Sequence, residues 1–192
     1  SAIVEGADTR MASALGGGIF ANYNNAGGTP TITGGTYSGN LASATGLNAR
    51  AEGGGMFLDT IHNASPLVFD PKEGTITFQD NKVAVNGVEK LNGIHFGRSD
   101  PSRDSYADGG SSLTIQDSDA TNNLITIADG ITTDLNNGEP FTMAQAGGEF
   151  LWGGPNLFDS AGGDSVALSG GRMRLANGFT LDRGTVNGGT GN

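Results

Sequence analysis

The sequence predicts an all-β fold, a right-handed parallel β-helix, in which short strands stack coil upon coil. The first observation is a repeat, because Gly16-Gly17-Gly18-Ile19-Phe20 returns as Gly53-Gly54-Gly55-Met56-Phe57. The second is an aromatic-x-x-Asn tetrad after each copy, Tyr37-Ser38-Gly39-Asn40 and Phe78-Gln79-Asp80-Asn81. The third is a closing run of evenly spaced apolar triplets. Self-similarity over tens of residues is typical of solenoids.

The two repeat units begin in the same way and differ in length. Glycine allows a tight turn at positive φ and lets adjacent coils approach closely, so each Gly triplet predicts a coil corner. A Thr-Ile-Thr strand follows each copy, at 31–33 and at 75–77. The interval from Gly16 to Thr31 is shorter than the interval from Gly53 to Thr75. We interpret the difference as a loop lengthened around residues 63–66.

The later segments predict further strands with one apolar face. Leu113-Thr114-Ile115 and Leu124-Ile125-Thr126-Ile127 alternate apolar and polar residues, and three triplets follow at 166–168, 173–175 and 179–181. Strands of this spacing predict coils of roughly 20–25 residues, and so about eight coils in the chain. The apolar residues predicted to face inward are Ile19, Phe20, Ile32, Ile76, Phe78, Ile115, Ile127, Leu168, Leu175 and Leu181. An antiparallel sandwich, which also has many short strands, is the alternative.

The chain, 1–192, is predicted to be a single β-helix fragment with two irregular insertions, at about 97–110 and about 133–163. The second insertion is the more informative, because it contains aromatic residues among glycines. Loops on a repetitive scaffold are free to vary, and exposed aromatic residues are common in recognition sites. These aromatic rings have two alternative roles: they contact a ligand, or they cover apolar surface on the flank of the coils. The four candidate contact residues are Phe141, Phe150, Trp152 and Phe158.

Composition limits the partners. The 34 glycines punctuate apolar runs as turns do, and 20 acidic against 10 basic residues give a net charge of −10. Nucleic acids and anionic membranes select for Lys and Arg patches, so the sequence argues against both as partners. The absence of Cys rules out thiol catalysis, disulfides and Cys-based zinc sites.

Carboxylate pairs are the candidate catalytic groups. Asp100 with Asp104, or Asp117 with Asp119, could serve a polysaccharide hydrolase or lyase, the usual enzymes on a β-helix. These residues lie among Ser and Gly, where Asp is common in turns. The sequence therefore predicts a protein with no catalytic centre, with the polysaccharide-degrading enzyme as the alternative.

No metal or cofactor site is predicted. Residues 162–164 and 188–192 are incomplete versions of the Gly-Gly-x-Gly-x-Asp calcium repeat, which acts through tandem copies. The histidines are His62 and His95. His95 lies between Ile94 and Phe96 in an alternating triplet, which predicts a solvent-facing or hydrogen-bonded side chain rather than a metal ligand.

Several of these motifs together resemble a known family, the passenger regions of type V autotransporters, and most closely the polymorphic outer membrane proteins. That family carries Gly-Gly-Ala-Ile and Phe-x-x-Asn repeats. The Phe-x-x-Asn pattern is met in full by Phe78-Gln79-Asp80-Asn81. The Gly-Gly-Ala-Ile pattern resembles Gly17-Gly18-Ile19, with Gly in place of Ala. Asn92-Gly93-Ile94-His95-Phe96 and the segment 168–175 resemble later motifs of the family, in the same order.

The resemblance implies a passenger exposed on the bacterial cell surface, outside the outer membrane, and followed by a β-barrel beyond Asn192. Such a passenger is not itself embedded in the membrane. It would act as an adhesin or a structural stalk, and it would bind a host or bacterial surface protein or glycan through its loops. We expect a monomer or weak self-association.

Overall fold

The computed structural model describes residues 1–5, 12–22, 29–59, 65–72, 74–99, 111–116, 118, 123–135, 141–154, 156–160, 165–175 and 185–188. The regular secondary structure of these residues is entirely β, which confirms the all-β prediction. The strands, in chain order, are β1 (Ala2–Glu5), β2 (Ser13–Leu15), β3 (Ile19–Asn22), β4 (Thr31–Ile32), β5 (Gly35–Ser38), β6 (Leu41–Thr45), β7 (Arg50–Glu52), β8 (Met56–Asp59), β9 (Ser65–Phe69), β10 (Ile76–Gln79), β11 (Lys82–Val85), β12 (Val88–Leu91), β13 (Ile94–Gly97), β14 (Ser111–Ile115), β15 (Leu124–Ile127), β16 (Ile131–Leu135), β17 (Phe141–Gln145), β18 (Glu149–Trp152), β19 (Leu157–Ser160), β20 (Ser165–Leu168), β21 (Arg172–Leu175) and β22 (Thr185–Gly188).

Successive strands outside the sheets β1-β6-β11-β12 and β2-β7 join three long sheets in turn. Sheet I has the order β19-β16-β13-β8-β3, sheet II the order β22-β20-β17-β14-β9-β4, and sheet III the order β21-β18-β15-β10-β5. Among the described strands every pairing is parallel except that of β11 with β12. Parallel pairing with a return to each sheet is compatible with a parallel β-helix.

The two copies of the sequence repeat lie directly on one another. Ile19 pairs with Met56 and Phe20 with Phe57, so the repeat corresponds to one return to sheet I. The Phe20 and Phe57 rings stack with centroids 5.5 Å apart. The Gly17 amide donates to the Gly53 carbonyl at 3.0 Å. The glycine triplets thus mark equivalent corners, as the sequence indicates.

The Thr-Ile-Thr segments are not equivalent, although the sequence suggests that they are. Thr31 pairs with Val68 and Ile32 with Phe69 in sheet II, whereas Ile76 pairs with Gly35 in sheet III. The offset between paired residues is larger in sheet III than in sheet II, so the extra residues lie between Phe69 and Ile76. The predicted position of the lengthened loop, around residues 63–66, is therefore wrong.

Inward-facing residues of sheets I, II and III form one hydrophobic core. Of the residues predicted to be buried, Ile32, Ile76, Phe78, Ile115 and Ile127 lie in this core. Ile19 and Leu168 are half-buried, and Leu181 lies outside the described residues. Phe20 and Leu175 are exposed, at 48% and 52% of their surface, and correct the prediction. Phe20 is in register with Phe57 and His95 and therefore lies on the outer face of sheet I, away from the main core. Leu175 is in register with the core residue Trp152, but it belongs to the end strand of sheet III, so only one neighbouring strand covers it.

Residues 133–163 do not form an irregular insertion. Strands β16, β17, β18 and β19 fall largely within this range and pair in sheets I, II and III. The described glycines between these strands, Gly147, Gly148, Gly153 and Gly154, lie where one short strand ends and the next begins. The other predicted insertion, 97–110, lies outside the described residues from position 100 onward.

A separate lobe interrupts the early coils between sheets III and I. It consists of the sheet β1-β6-β11-β12 and the pair β2-β7, packed around a small core of Ala and Val residues. Later coils lack it: β15 is followed at once by β16, and β18 by β19.

The coils are unequal in length, and not only where the lobe interrupts them. Met56 pairs with Ile19 and with Ile94 across the two coils that contain lobe strands, and Ile94 pairs with Ile131 after an equally long return without them, whereas Thr132 pairs with Leu157 after a much shorter one. The predicted coil length of roughly 20–25 residues therefore fits the last of these returns and is wrong for the other three. In the described part of the chain the largest sheet has six strands, fewer than the eight coils expected.

The Asn residues of the two tetrads form a ladder at one corner. Asn40 Nδ2 donates to Asn81 Oδ1 at 2.9 Å, and Asn81 Nδ2 donates to Asp129 Oδ2 at 2.7 Å. Asn81 Nδ2 also donates to the Tyr37 carbonyl at 2.8 Å. The ladder joins three successive coils and satisfies backbone groups that the turn leaves unpaired. This confirms that these Asn residues are structural.

Candidate functional site

A concave site, a cleft, lies between the lobe and the outer face of sheet I, in the described part of the chain. Its volume is about 350 Å³, within the range typical of small-ligand sites. The lobe contributes one wall through β7, β11 and β12, and sheet I contributes the floor through β13 and β16. The lining residues are Ala49, Arg50, Ala51, Glu52, Val85, Lys90, Asn92, His95, Thr132, Thr133 and Asp134.

Strand alternation explains how polar groups reach this cleft. In β7 the side chain of Ala51 packs into the small core of the lobe, so Arg50 and Glu52 lie on the opposite face of the strand. In β13 the flanking residues of the triplet face the main core, and His95 faces outward. His95 pairs in register with Thr132 of β16. The cleft is therefore built from the outward positions of three strands.

Arg50 connects the lobe to sheet I. Its Nε donates to Glu52 Oε1 at 2.7 Å, and its Nη2 lies 2.5 Å from Glu52 Oε2. The same Nη2 donates to Asp134 Oδ2 at 2.9 Å, and Nη1 donates to the carbonyl of Arg98 at 2.5 Å. One guanidinium thus holds two carboxylates and a backbone carbonyl from different coils. Charge-assisted contacts of this kind are shorter and stronger than neutral ones.

His95 is buried at the floor of the cleft. Its Nδ1 lies 2.7 Å from Thr132 Oγ1, which also accepts a hydrogen bond from Asn92 Nδ2 at 2.8 Å. Its Nε2 lies 3.0 Å from Glu52 Oε2, although neither of these buried atoms makes a well-aligned hydrogen bond. The prediction of a hydrogen-bonded histidine is confirmed, and the solvent-facing alternative is wrong because the lobe covers the ring.

Three of these groups could in principle approach one metal ion. Ligand atoms of Glu52, His95 and Asp134 lie within 4.8 Å of one another. The Arg50 guanidinium, however, is within 2.9 Å of both carboxylates and already supplies the positive charge between them. A cation would have to displace it, so the donor set does not favour a metal.

The two carboxyl groups of the cleft have opposite pKa shifts. Burial tends to raise the pKa of Glu52, but contact with His95 and Arg50 and their charge outweigh it, lowering the pKa from 4.5 to about 2. Burial raises the pKa of Asp134 above its ordinary value; the Arg50 charge opposes this shift and the Glu52 charge adds to it. Neighbouring carboxyl groups with separated pKa values are a feature of acid–base sites and also of structural ion-pair networks.

The depressed pKa of Glu52 predicts sensitivity to acid. Its folded pKa lies below its unfolded pKa, so its contribution to stability is present above about pH 4.5 and is lost as pH falls towards 2. We expect Glu52→Gln to lower the free energy of unfolding at pH 7 by up to about 3 kcal/mol, and to reduce the difference between pH 7 and pH 3. Denaturant unfolding at both pH values measures this.

Glu89→Gln is the matched control for Glu52→Gln. Glu89 is exposed in the lobe and pairs with Lys82 at the surface, so its replacement should leave stability nearly unchanged at either pH. Equal pH dependence of the wild-type protein and the Glu52→Gln variant would contradict the assignment of the acid-sensitive contribution to the Glu52 carboxylate.

Three of the four aromatic residues predicted to contact a ligand lie in the main core and not in the cleft. Phe141, Phe150 and Trp152 are buried in the main core, and Trp152 Nε1 donates to Asn156 Oδ1 at 2.7 Å. Rings packed inside the coils cannot serve as surface contacts, so the prediction is corrected for these three. The side chain of Phe158 lies outside the described residues, although its backbone belongs to β19.

The predicted carboxylate pairs also lie elsewhere. Asp100, Asp104, Asp117 and Asp119 are all outside the described residues, as is His62. A neighbouring carboxylate, Asp70, holds a corner: it accepts hydrogen bonds from the Ser118 amide at 3.0 Å and hydroxyl at 2.8 Å. This supports the view that Asp residues in these loops serve turns.

Sequence reasoning missed most of the cleft. Arg50, Glu52 and Asp134 carry no local motif, and Asp134 lies far from the other two along the chain. The signal that could have found them is the register of the coils, since Gly93-Ile94 lies over Gly55-Met56 as well as next to Gly130-Ile131. That register depends on coil lengths that the sequence does not state.

Comparison with protein families, curated proteins and solved structures found no match. Within the described residues, no helix is long and apolar enough to cross a membrane.

Proposed function

We propose that this chain is a right-handed parallel β-helix that forms the passenger segment of an autotransporter-type protein on the bacterial cell surface. In this role it is an adhesin or a structural stalk, and its partner is a host or bacterial surface protein or glycan. The observation that carries the proposal is the direct stacking of the repeat copies, with Ile19 on Met56 and Tyr37 on Phe78. The motifs behind the family resemblance thus occupy equivalent positions in successive coils.

The proposed binding surface is the lobe, and not the aromatic segment 133–163 predicted from the sequence. Residues 133–163 are committed to the sheets, and their described aromatic residues to the core. The lobe departs from the repetitive coils, and it creates the cleft. Irregular additions to a solenoid can vary without disturbing the stacking, so they are favoured places for recognition.

A display experiment tests the passenger role. The chain, fused between a secretion signal and an autotransporter β-barrel in a Gram-negative laboratory strain, should reach the cell surface in a folded, protease-resistant form. Increased attachment of these cells to host cells, or clumping of the bacteria, identifies an adhesin; folded display without attachment identifies a stalk. Retention inside the cell, or display in a protease-sensitive form, would refute the proposal.

A polysaccharide-degrading hydrolase or lyase is the second candidate function. The observation that favours it is the Glu52–Asp134 pair in a cleft beside His95, with pKa values shifted in opposite directions. Incubation with a panel of polysaccharides, followed by reducing-end and unsaturated-product assays, tests it. Turnover that Asp134→Asn abolishes would favour the enzyme; no turnover on the panel favours the binding role.

A further inference from the structure

We propose that the cleft between the lobe and sheet I binds an uncharged saccharide unit of one or two rings. This inference deepens the proposed binding role and rests on it for its biological setting. The chemical reasons lie in the residues of the cleft alone: their charge balance, the unsatisfied imidazole nitrogen at the floor and the shape of the walls.

The formal charges of the cleft cancel. Arg50 and Lys90 supply two positive charges, and Glu52 and Asp134 supply two negative charges. Arg50 is already engaged by both carboxylates, so a ligand anion would compete with Glu52 and Asp134 for it. A ligand cation would in turn meet the guanidinium. Neither sign of ligand charge is favoured, whereas a neutral ligand disturbs neither ion pair.

The groups that remain open to the cleft suit hydroxyl groups. The Asp134 side chain is 39% exposed, so its carboxylate presents an acceptor towards solvent, whereas Glu52 is 20% exposed and its Oε2 is buried. Lys90 is exposed on the facing wall and offers a donor. Sugar hydroxyls both donate and accept, and adjacent hydroxyls can engage a carboxylate and an ammonium group together.

The floor of the cleft contains a second indication. His95 Nε2 is buried and lies 3.0 Å from Glu52 Oε2 without a well-aligned hydrogen bond, while Glu52 Oε2 lies 2.5 Å from Arg50 Nη2. Buried polar groups are normally satisfied, and those that are not call for an explanation. A ligand hydroxyl at the floor would give His95 Nε2 an aligned partner, because a hydroxyl can accept from the imidazole and donate to a neighbouring carboxylate.

The walls and the volume are consistent with a sugar ring. Ala49 and Val85, both half-buried, line one side with short apolar groups, against which the C–H face of a ring can lie. A cleft of about 350 Å³ is at the small end of ligand sites, which limits the ligand to one or two rings.

Calorimetric titration of the whole chain tests the proposal, with cellobiose and lactose as neutral probes. Digalacturonate, Ca²⁺ and Zn²⁺ are the charged probes. We expect saturable binding of at least one neutral disaccharide with a Kd of roughly 1 mM or tighter. Asp134→Asn should weaken this binding by about tenfold or more, and Ala49→Phe, which fills the cleft without touching the ion pairs, should abolish it. Glu89→Gln, exposed on the lobe away from the cleft lining, should change the affinity by less than about twofold.

Circular dichroism and thermal melting of each variant separate loss of binding from loss of fold. The proposal is overturned if neither neutral disaccharide binds, if only the uronate or a metal ion binds, or if the folded Ala49→Phe variant binds as well as the wild type. Its failure is distinguishable from failure of the passenger role: a chain that is displayed and adheres equally well with Ala49→Phe loses the cleft proposal alone.

Discussion

Replacement of Gly54 by Ala is expected to destabilise the fold by about 3 kcal/mol or more, the largest effect that we predict for one added methyl group. A Cβ atom at Gly54 would lie 2.6 Å from the backbone N of Lys82 and in direct overlap with the Lys82 carbonyl oxygen. These are backbone atoms of the next coil, which cannot move aside as a flexible side chain can. Relief of the overlap would require two coils to separate and their hydrogen bonds to lengthen.

Gly39→Ala is the matched control for Gly54→Ala. Gly39 has a positive φ of 64°, but a Cβ there meets nothing within 4 Å, so the cost is the backbone strain of about 1–2 kcal/mol. Denaturant unfolding of both variants gives the two free energies. A Gly54→Ala variant that is as stable as Gly39→Ala would show that the coils do not approach as closely as the geometry requires.

Asn81→Ala is expected to lower the free energy of unfolding by about 3 kcal/mol, the second largest effect. The fully buried Asn81 side chain donates to the Tyr37 carbonyl and to Asp129, and it accepts from the amide and the side chain of Asn40. Alanine removes all of these hydrogen bonds and leaves the partly buried Asn40 amide without its acceptor. Each unpaired group adds a desolvation cost to the lost bond.

Asn40→Ala measures how much the residue at the end of the same ladder contributes to stability. The Asn40 side chain is half-buried and contributes one described side-chain hydrogen bond, to Asn81, so its removal should cost about 1 kcal/mol. Equal costs for the two substitutions, in thermal or denaturant unfolding, would contradict a ladder in which Asn81 is the central member.

The parts of the fold that the sequence predicts are those encoded by short sequence motifs that recur in successive coils. Gly53 has a positive φ of 62° and Gly54 lies under a neighbouring backbone, so both positions need glycine. The motif can therefore be recognised in the amino-acid sequence. The Asn of each tetrad is visible for a similar reason, because one side chain serves the same corner in successive coils. Alternation in β10 and β15 likewise places Ile76, Phe78 and Ile127 in the core.

The lobe and the cleft could not be predicted, because they depend on how coils of unequal length align. Thr31-Ile32-Thr33 and Thr75-Ile76-Thr77 are identical in sequence, yet they lie in different sheets. The aromatic residues of 133–163 look like an exposed segment because glycines surround them, but the glycines separate strands whose described aromatic side chains point inward. The cleft unites Arg50, His95 and Asp134 only after the coils are in register.

Parallel stacking of successive coils in register is the central claim, and sheet III offers a direct reporter of it. Thr36 pairs with Thr77, and Thr77 with Thr126, on the outer face of that sheet. Neighbouring strands lie about 4.8 Å apart, within disulfide range, whereas Thr36 and Thr126 are separated by roughly twice that distance. The chain has no Cys, so any disulfide that forms must join the two cysteines introduced at these positions.

Disulfide trapping of these pairs is the most direct test. Mild oxidation should cross-link the 36/77 and 77/126 Cys pairs in the folded protein and leave the 36/126 pair reduced. Efficient cross-linking of 36/126, or none in either neighbouring pair, would contradict the stacked coils.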